Sequence, residues 1–270
     1  MTAMSESGPG TQFTLVGDGG PVHDDRLAQL YSYPAVLERS WVRSNFIASL
    51  DGAATADGRS GGLGGSGDRH LFSMLRQLAD VVVVGAGTAR VENYGGVHLD
   101  AGPRRARRGR GQAEVPPVAL VTRSGRLDAG MRLFTDSDVT PLVLTCATSL
   151  PATADRLGEH AEVLDCSAHD PDAVDLDTAL NQLAARGLRR VLTEGGPTLH
   201  GTFVQRGLLD ELCLTVSPMM VGGQARRITT GPVGSRVAMR RAHLLTDPDG
   251  YLYTRYLRDA ELRGQAASSE

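Results

Sequence analysis

One nine-residue segment constrains the fold more than any other part of the chain: Val191-Leu192-Thr193-Glu194-Gly195-Gly196-Pro197-Thr198-Leu199. The pattern predicts a buried strand, a Gly-Gly turn and a helix that begins at proline, whose missing N–H costs nothing at the first helical position. Two residues without side chains allow a ligand to lie against bare backbone. The helix directs unpaired N–H groups at the turn, which is a common way to hold phosphate. An ordinary strand-to-helix turn is the simpler interpretation of a Gly-Gly pair, so other segments must decide.

Apolar runs that predict strands alternate with stretches of helical periodicity over most of the chain. The predicted strands cover residues 41–50, 81–84, 118–122, 142–145, 163–165, 189–193, 211–217, 242–246 and 251–257. The predicted helices cover residues 24–31, 68–78, 177–186 and 197–206. This order predicts an α/β fold with a mostly parallel central sheet, flanking helices and an antiparallel C-terminal edge hairpin.

Local composition divides the chain into three predicted parts. Residues 1–12 are small and polar and are expected to be disordered, residues 13–258 form one domain, and residues 259–270 form a loose tail. The strand at 211–217 and the terminal hairpin are expected to offer an edge to a two-fold partner.

The composition excludes several function classes. All 28 basic residues are arginine, so the chain lacks the lysine that a Walker A loop, a protein kinase or a Schiff-base enzyme requires. No apolar run reaches membrane-spanning length and no signal-peptide pattern begins the chain, so we expect a cytoplasmic protein. The three cysteines and seven histidines show no metal-ligand spacing, so no bound metal is expected.

A basic run lies between residues 102 and 117 and contains Arg104, Arg105, Arg107, Arg108 and Arg110. A solvated loop is the simplest interpretation of this run, and capture of a phosphate or polyanion is the alternative. The net charge of −3 and the absence of an aromatic platform argue against nucleic acid as a partner.

Four predicted strands end in segments suited to binding a nucleotide. In an open α/β sheet, ligands bind beyond the carboxyl ends of the strands, so these segments are expected to form one crevice. Arg123 and Ser124 are suited to a 2′-phosphate, because a guanidinium fork matches phosphate oxygens. The four segments are Ala48–Gly52, Gly85–Thr88, Thr122–Ser124 and Glu194–Gly196.

The ordered set of motifs resembles the pyrimidine reductases of riboflavin biosynthesis, which form the C-terminal domain of bifunctional deaminase-reductases. The matching segments are Phe46-Ile47-Ala48-Ser49-Leu50-Asp51-Gly52, Leu75-Arg76, Ala79–Thr88, Glu194–Gly201 and Gly207–Leu212. The resemblance covers residues 41–257. It implies a dihydrofolate-reductase-like fold, NADPH as cofactor, a homodimer and a small pyrimidine substrate. Because the deaminase signature is missing, it implies a stand-alone 5-amino-6-(5-phosphoribosylamino)uracil reductase.

The resemblance also implies roles for individual residues. Asp68 and Glu194 are the expected catalytic residues. The expected substrate contacts are Asn45, Ser66, Asp68, Arg69 and Glu194. The expected cofactor contacts are Ala48, Gly85, Gly87, Thr88, Glu92, Thr122, Arg123, Ser124, Gly195, Gly196, Pro197, Thr198 and Leu199. The Gly195–Gly196 peptide is a candidate for the cis form that dihydrofolate reductases have, and the glycine-rich segment 57–67 is the expected lid.

Two positions depart from the family pattern. The residue after Asp51-Gly52 is Ala53, where relatives often have lysine or arginine, and Asn93-Tyr94 replaces Asp-Pro after Glu92. These changes reduce the number of basic groups expected around a ribose phosphate. Arg69 and His70 are candidates to replace them.

Asp68 supports a second hypothesis. Dihydrofolate reductases have a carboxylate at the start of the helix after the mobile loop, where it binds the aminopyrimidine edge of the pterin, and Asp68 has the corresponding place. A simple helix cap is an equally good interpretation. The sequence therefore leaves three functions open: reduction of a ribosylamino-pyrimidine at C1′, reduction of a dihydrofolate or dihydropterin, and a dinucleotide-binding sensor without turnover.

Overall fold

The computed structural model describes residues 11–17, 19–232 and 236–259. Residues 1–10 of the predicted disordered segment and residues 260–270 of the predicted tail lie outside this part of the chain. The strands are β1 (Phe13–Leu15), β2 (Pro21–Val22), β3 (Trp41–Ser49), β4 (Val81–Gly85), β5 (Val118–Val121), β6 (Leu142–Thr145), β7 (Glu162–Asp165), β8 (Arg190–Thr193), β9 (Glu211–Ser217), β10 (Met239–Thr246) and β11 (Leu252–Arg258).

All eleven of these strands form one sheet in the order β2-β1-β10-β11-β9-β3-β8-β4-β5-β6-β7. Strands β9, β3, β8, β4, β5, β6 and β7 are parallel, whereas β11, β10, β1 and β2 pair antiparallel. This arrangement confirms the predicted α/β fold with its parallel centre and antiparallel side. The prediction of a free edge at 211–217 is wrong, because β9 pairs with β3 on one side and with β11 on the other.

The helices are α1 (Asp24–Leu30), α2 (Ser66–Leu78), α3 (Ala86–Val91), α4 (Ala101–Gly109), α5 (Arg132–Thr135), α6 (Leu150–Leu157), α7 (Leu176–Ala185) and α8 (Pro197–Gln205). Helices α3, α4, α5 and α6 are absent from the sequence prediction. The interpretation of the arginine run as a solvated loop is wrong, because four of its five arginines lie in α4 and the side chain of Arg107 is buried.

Both faces of the central strands are buried, as the unbroken Val81–Val84 run predicts. Val82 and Val84 pack on one face with the apolar side of α2, whereas Val81 and Val83 pack on the other with residues of α7 and α8. Because helices cover both faces, the carboxyl ends of the parallel strands are the part of the sheet available to a ligand.

Candidate functional site

The Gly-Gly turn lies between β8 and α8, as predicted. The Gly195–Gly196 peptide is cis, and Gly195 has a φ of 116°, which favours glycine. The turn is fixed to the neighbouring strand by a hydrogen bond from the amide of Gly85 to the carbonyl of Gly195, at 2.9 Å. A Cβ added at Gly196 would overlap the hydroxyl of Thr88. The turn therefore requires glycine on packing grounds as well as on conformational grounds.

A cleft of about 730 Å³ opens beside this turn. The carboxyl-end region of β3, the glycine-rich segment, α2, α3 and the turn before α8 contribute its walls. Of the predicted site residues, the cleft brings together Asn45, Asp68, Arg69, Gly87, Thr88, Glu92, Glu194, Gly195, Gly196 and Pro197. Segments far apart in sequence thus converge at the end of the sheet where nucleotides bind in related architectures.

Glu194 is bound by two side chains that sequence reasoning did not single out. Arg76 of α2 donates from Nε and Nη2 to its two carboxylate oxygens, each at 2.7 Å, and the hydroxyl of Tyr94 donates to Oε2 at 3.0 Å. Burial opposes the charge of Arg76, but Glu194 raises its pKa above the ordinary value. The Glu194 side chain is 1% exposed. This carboxylate is therefore held in place directly before the glycine turn by a bidentate ion pair.

Arg76 was visible in the sequence only as part of the Leu75-Arg76 motif, and no periodicity indicated its partner. Its guanidinium also lies 4.2 Å from the centroid of the Phe72 ring, which lines the cleft. The phenol of Tyr94 supplies a hydrogen-bond donor to Glu194. The departure noted at this position therefore has a visible structural role.

Asp68 occupies the third position of α2, and Gly65 is the N-cap, so the interpretation of Asp68 as the cap is wrong. Its carboxylate lines the cleft, and no described residue forms a salt bridge with it. Burial raises the pKa of Asp68, and the nearby Thr215 hydroxyl and Arg69 guanidinium oppose this effect. A partly buried carboxylate without a paired cation is suited to hydrogen bonding with a ligand or to proton exchange.

Two other residues of the α2 N-terminus, Ser66 and His70, are not part of the cleft lining. The hydroxyl of Ser66 is exposed and forms a 2.6 Å hydrogen bond with that of Thr11. His70 forms a 2.9 Å contact with Asp24, so it does not replace the missing basic residue in the cleft. Arg69 does line the cleft, and its guanidinium forms no hydrogen bond with a described residue.

Glu92 connects α3 to the glycine-rich segment. Its Oε1 accepts hydrogen bonds from the amide and hydroxyl of Ser60, at 2.9 and 3.0 Å. Several glycines of this segment are also required for packing, since a Cβ at Gly65 would come within 2.8 Å of the Tyr251 ring. The predicted lid is thus fastened to the cleft wall at Ser60 in this conformation.

The remaining predicted cofactor contacts lie outside the cleft lining. Ala48 and Gly85 are strand residues next to the cleft, and Thr198 and Leu199 belong to the first turn of α8. Thr122, Arg123 and Ser124 form the turn after β5, where the Thr122 hydroxyl accepts from the amide of Gly125 at 3.2 Å. The side chains of Arg123 and Ser124 are exposed at this turn.

Sequence reasoning missed one wall of the cleft, residues 219–230 between β9 and β10, which we name the 219–230 segment. Val221, Gln224, Ala225 and Arg226 line the cleft. The carboxylate of Asp51 accepts from the amides of Val221 and Gly222, at 3.2 and 2.7 Å. A hydrogen bond from Ser49, together with these two amides, lowers the pKa of Asp51 to about 2. Because the segment has no secondary structure, no periodicity could reveal it.

Two further observations bear on the type of site. Within the described residues, no helix is both long and apolar enough to cross a bilayer. The same residues contain no group of three or more histidine, cysteine or acidic side chains placed to hold a metal ion.

Comparison with known proteins agrees with this geometry. Residues 40–253 match the model of the RibD C-terminal domain. The 2,5-diamino-6-ribosylamino-4(3H)-pyrimidinone 5′-phosphate reductase of Methanothermobacter thermautotrophicus is 30% identical over 72% of this chain and 85% of its own. The enzyme with that name from Archaeoglobus fulgidus is 27% identical over 69% and 84%.

A solved structure shows the same likeness in three dimensions. The pyrimidine reductase-like protein of Corynebacterium diphtheriae is 28% identical, with a TM-score of 0.75 over 86% of this chain and 98% of that one. The resemblance predicted from the motifs is confirmed. The chain therefore belongs to the RibD C-terminal domain family of riboflavin-biosynthesis reductases.

Proposed function

We propose that this protein is an NADPH-dependent reductase of a ribosylamino-pyrimidine 5′-phosphate in riboflavin biosynthesis. The observation that carries the proposal is the single cleft that joins the Gly195–Gly196 turn to the carboxylate of Asp68. The turn provides open backbone for a dinucleotide, and the carboxylate provides a partner for a polar heterocycle. The names of the relatives support the same reaction.

The residues around the turn fit a dinucleotide. Gly85 and Gly196 are the N-cap residues of helices α3 and α8, and neither N-terminus has a side-chain cap. The two ends are adjacent, since a Cβ at Gly85 would lie 3.6 Å from the nitrogen of Gly196. We assign the diphosphate to these amides and the 2′-phosphate to Arg123 and Ser124, which favours NADPH over NADH. NADPH held there would supply the hydride that reduces C1′ of the ring-opened sugar imine.

The side chains of the protein align the substrate and exclude water. Asp68 accepts N–H groups of the aminopyrimidine edge and relays a proton, while Asn45 contacts the same ligand. Arg76 and Tyr94 hold Glu194 and with it the backbone of the turn. The glycine-rich segment, fastened by Glu92, covers the reacting atoms. Alignment and exclusion of water are the main contributions that a protein makes to a hydride transfer between bound molecules.

Purified protein tests this assignment directly. We expect the protein to oxidise NADPH in the presence of 5-amino-6-(5-phosphoribosylamino)uracil or its 2,5-diamino counterpart. The loss of NADPH absorbance measures this oxidation. Calorimetric titration of NADPH provides the control for an intact cofactor site. Full cofactor binding without turnover of either pyrimidine would contradict the substrate assignment and would favour the sensor hypothesis.

Asp68 favours a second candidate activity, reduction of a dihydropterin or dihydrofolate. The carboxylate lies partly buried in the cleft without a salt bridge, and burial raises its pKa, as suits binding of an aminopyrimidine edge. We expect Asp68→Asn to reduce pterin turnover by about 100-fold, within the usual range for a positioned acid or base. If Asp68→Asn lowers turnover of the ribosylamino-pyrimidine but not of the pterin, the result would argue against the pterin activity.

We also propose a homodimer in the cytoplasm. Among the described residues, β1 and Val16 bond β10 only from Leu244 to Thr246, so the outer edge of Met239–His243 is available to a second copy. The three cysteines are buried and unpaired, which suits a reducing compartment. Light scattering coupled to size exclusion tests the assembly, and a monomeric mass at working concentration would contradict it.

A further inference from the structure

Two arginines that line the cleft form no salt bridge with a described residue, although Arg69 lies near enough to Asp68 to lower the pKa of that carboxylate. Arg69 lines the wall formed by α2, and Arg226 lines the wall formed by the 219–230 segment. Neither side chain forms a hydrogen bond or a salt bridge with a described residue, although Asp57 and Asp68 line the same cleft. Unpaired guanidinium groups on a cavity wall are suited to a ligand that carries its own negative charge.

The backbone places Arg226 beside the position where the family pattern has lost a cation. Ala53, where the resemblance implies lysine or arginine, is 5% exposed. The amide of the next residue, Ala54, donates to the carbonyl of Arg226 at 2.8 Å. The 219–230 segment is therefore hydrogen-bonded to the end of β3 at the point where a basic side chain is missing. Arg226, which is distant in sequence, thus lies next to Ala53.

The neighbouring arginine faces elsewhere. Arg227 lines a second cavity of about 530 Å³ between α8, β9 and β10, together with His200 and Met239. That cavity does not include Arg226, and the catalytic cleft does not include Arg227. Two consecutive exposed arginines therefore line different cavities. This alternation makes Arg227 a matched control for Arg226.

We propose that Arg226, together with Arg69, binds the 5′-phosphate of the pyrimidine substrate and so determines the preference for a phosphorylated substrate. The inference rests on the proposed function and adds a residue for substrate selection. Arg226 supplies a positive charge next to Ala53, and Arg69 of α2 lines the same cleft. A phosphate between two guanidinium groups accepts charge-assisted hydrogen bonds from both.

The test compares Arg226→Gln, Arg69→Gln and Arg227→Gln with the unaltered protein. Equilibrium titration in the presence of NADP⁺ measures the affinity for the ribitylamino-pyrimidine product with and without its phosphate. We expect Arg226→Gln and Arg69→Gln each to weaken binding of the phosphorylated product about tenfold or more, with little effect on the dephosphorylated product. Arg227→Gln should bind both products as the unaltered protein does.

Steady-state kinetics provides a second readout. Arg226→Gln should raise KM for the phosphorylated substrate and leave kcat nearly unchanged, since the phosphate is remote from the reacting carbon. Equal phosphate preference in Arg226→Gln and Arg227→Gln would overturn the inference. An effect of Arg226→Gln on the affinity for dihydrofolate alone would also overturn the inference. Arg226 would then bind the carboxylate tail of dihydrofolate and not a phosphate.

Failure of the inference is distinguishable from failure of the proposed function. Absence of turnover by the unaltered protein contradicts the function, whereas the titrations with product require no turnover. If the unaltered protein shows no preference between the phosphorylated and dephosphorylated products, the inference is wrong even where turnover is observed.

Discussion

At the scale of single residues, two carboxylates of the cleft show how surroundings assign different tasks to the same chemical group. Both carboxylate oxygens of Glu194 accept hydrogen bonds from Arg76, and one also accepts from Tyr94, so Glu194 stabilises the turn that precedes α8. Asp68 forms no salt bridge with a described residue, and burial raises its pKa against the opposing effects of Thr215 and Arg69. The sequence placed both residues near the cofactor turn, because both follow recognisable motifs. It could not separate their roles, since the partners of Glu194 come from α2 and from the segment after α3.

The raised pKa of Asp68 predicts a pH-dependent cost in stability. The folded state binds this proton more tightly than the unfolded chain does, so the contribution of Asp68 to the free energy of unfolding falls as pH rises through the folded pKa. Asp68→Asn removes the ionisation. We therefore expect the variant to gain stability relative to the unaltered protein as pH rises from below 3.8, the ordinary value, to neutrality. Urea denaturation at a series of pH values measures this difference.

The exposed Asp155 of α6 provides the control for that experiment. Asp155→Asn should show no comparable pH-dependent gain. A stability difference between Asp68→Asn and the unaltered protein that stays constant with pH would show that folding does not perturb the ionisation of Asp68.

Gly87 allows the proposed cofactor site to be tested without damage to the fold. A Cβ at this position would meet no atom within 4 Å, so the protein itself leaves room for it. Alanine is favoured over glycine in a helix by about 1 kcal/mol, so Gly87→Ala should not lower the melting temperature. A methyl group that projects toward the dinucleotide should weaken NADPH binding about tenfold, or about 1.4 kcal/mol. Calorimetric titration measures this affinity.

Gly102 of α4 is the matched control, since a Cβ there also meets no atom within 4 Å. Gly102→Ala should bind NADPH with unchanged affinity. Unchanged affinity in Gly87→Ala would place the dinucleotide away from the first turn of α3.

At the scale of elements, what the sequence predicted depends on how locally each element is encoded. The central strands were predicted because continuous apolar runs such as Val81–Val84 are typical of buried parallel strands. Helices α3, α5 and α6 are short and were missed, because four to eight residues show too little periodicity. The 219–230 segment was missed as well, since hydrogen bonds to Asp51, Ala54 and Pro197 fix it rather than any repeat.

Helix α4 was missed because its arginines were interpreted as a solvated charge run, but one of them has a buried structural role. The guanidinium of Arg107 is fully buried and donates to the carbonyls of Gln77 and Ala79, at 2.9 and 2.5 Å, and to that of Ala113, at 2.7 Å. Burial lowers the pKa of Arg107 to about 10. The carbonyls at the end of α2 thus receive a cation, which the helix dipole favours. Helix α4 thereby fixes α2, which carries Asp68 and Arg76.

Removal of this cation should destabilise the protein strongly. Arg107→Met leaves several buried carbonyls without donors, and we expect a loss of about 3 kcal/mol in the free energy of unfolding. Arg108 is the control on the same helix, because its side chain is 57% exposed. Arg108→Met should change stability by less than about 0.5 kcal/mol. Equal losses in the two variants, measured by urea denaturation, would contradict a structural role specific to Arg107.

At the scale of the whole molecule, β9 joins the parallel part of the sheet to the antiparallel part. It pairs with β3 on one side and with β11 on the other. Glu211, at its start, accepts from Arg43 of β3 at 2.6 Å and from Arg255 of β11 at 2.8 Å. Burial alone would raise the pKa of Glu211, but the two arginines lower it. Arg255 also donates to the carbonyls of Leu30 and Ser32, so the network extends to the N-terminal segment.

The network predicts that the two parts of the sheet unfold together. Glu211→Gln leaves two buried guanidinium groups without a counterion, which should cost about 3–5 kcal/mol. The chain has one tryptophan, Trp41, whose indole donates to Glu211 at 3.1 Å, so its fluorescence reports on this junction. Circular dichroism reports on the whole sheet. In urea, both signals should shift together to lower denaturant concentration in Glu211→Gln.

Glu162→Gln, which removes an exposed ion pair with Arg186, should stay within about 1 kcal/mol of the unaltered protein. Separate midpoints for fluorescence and circular dichroism would mean that the parallel and antiparallel parts unfold independently. In that case Glu211 would stabilise only its immediate neighbours, and the cleft could open while the antiparallel strands remain folded.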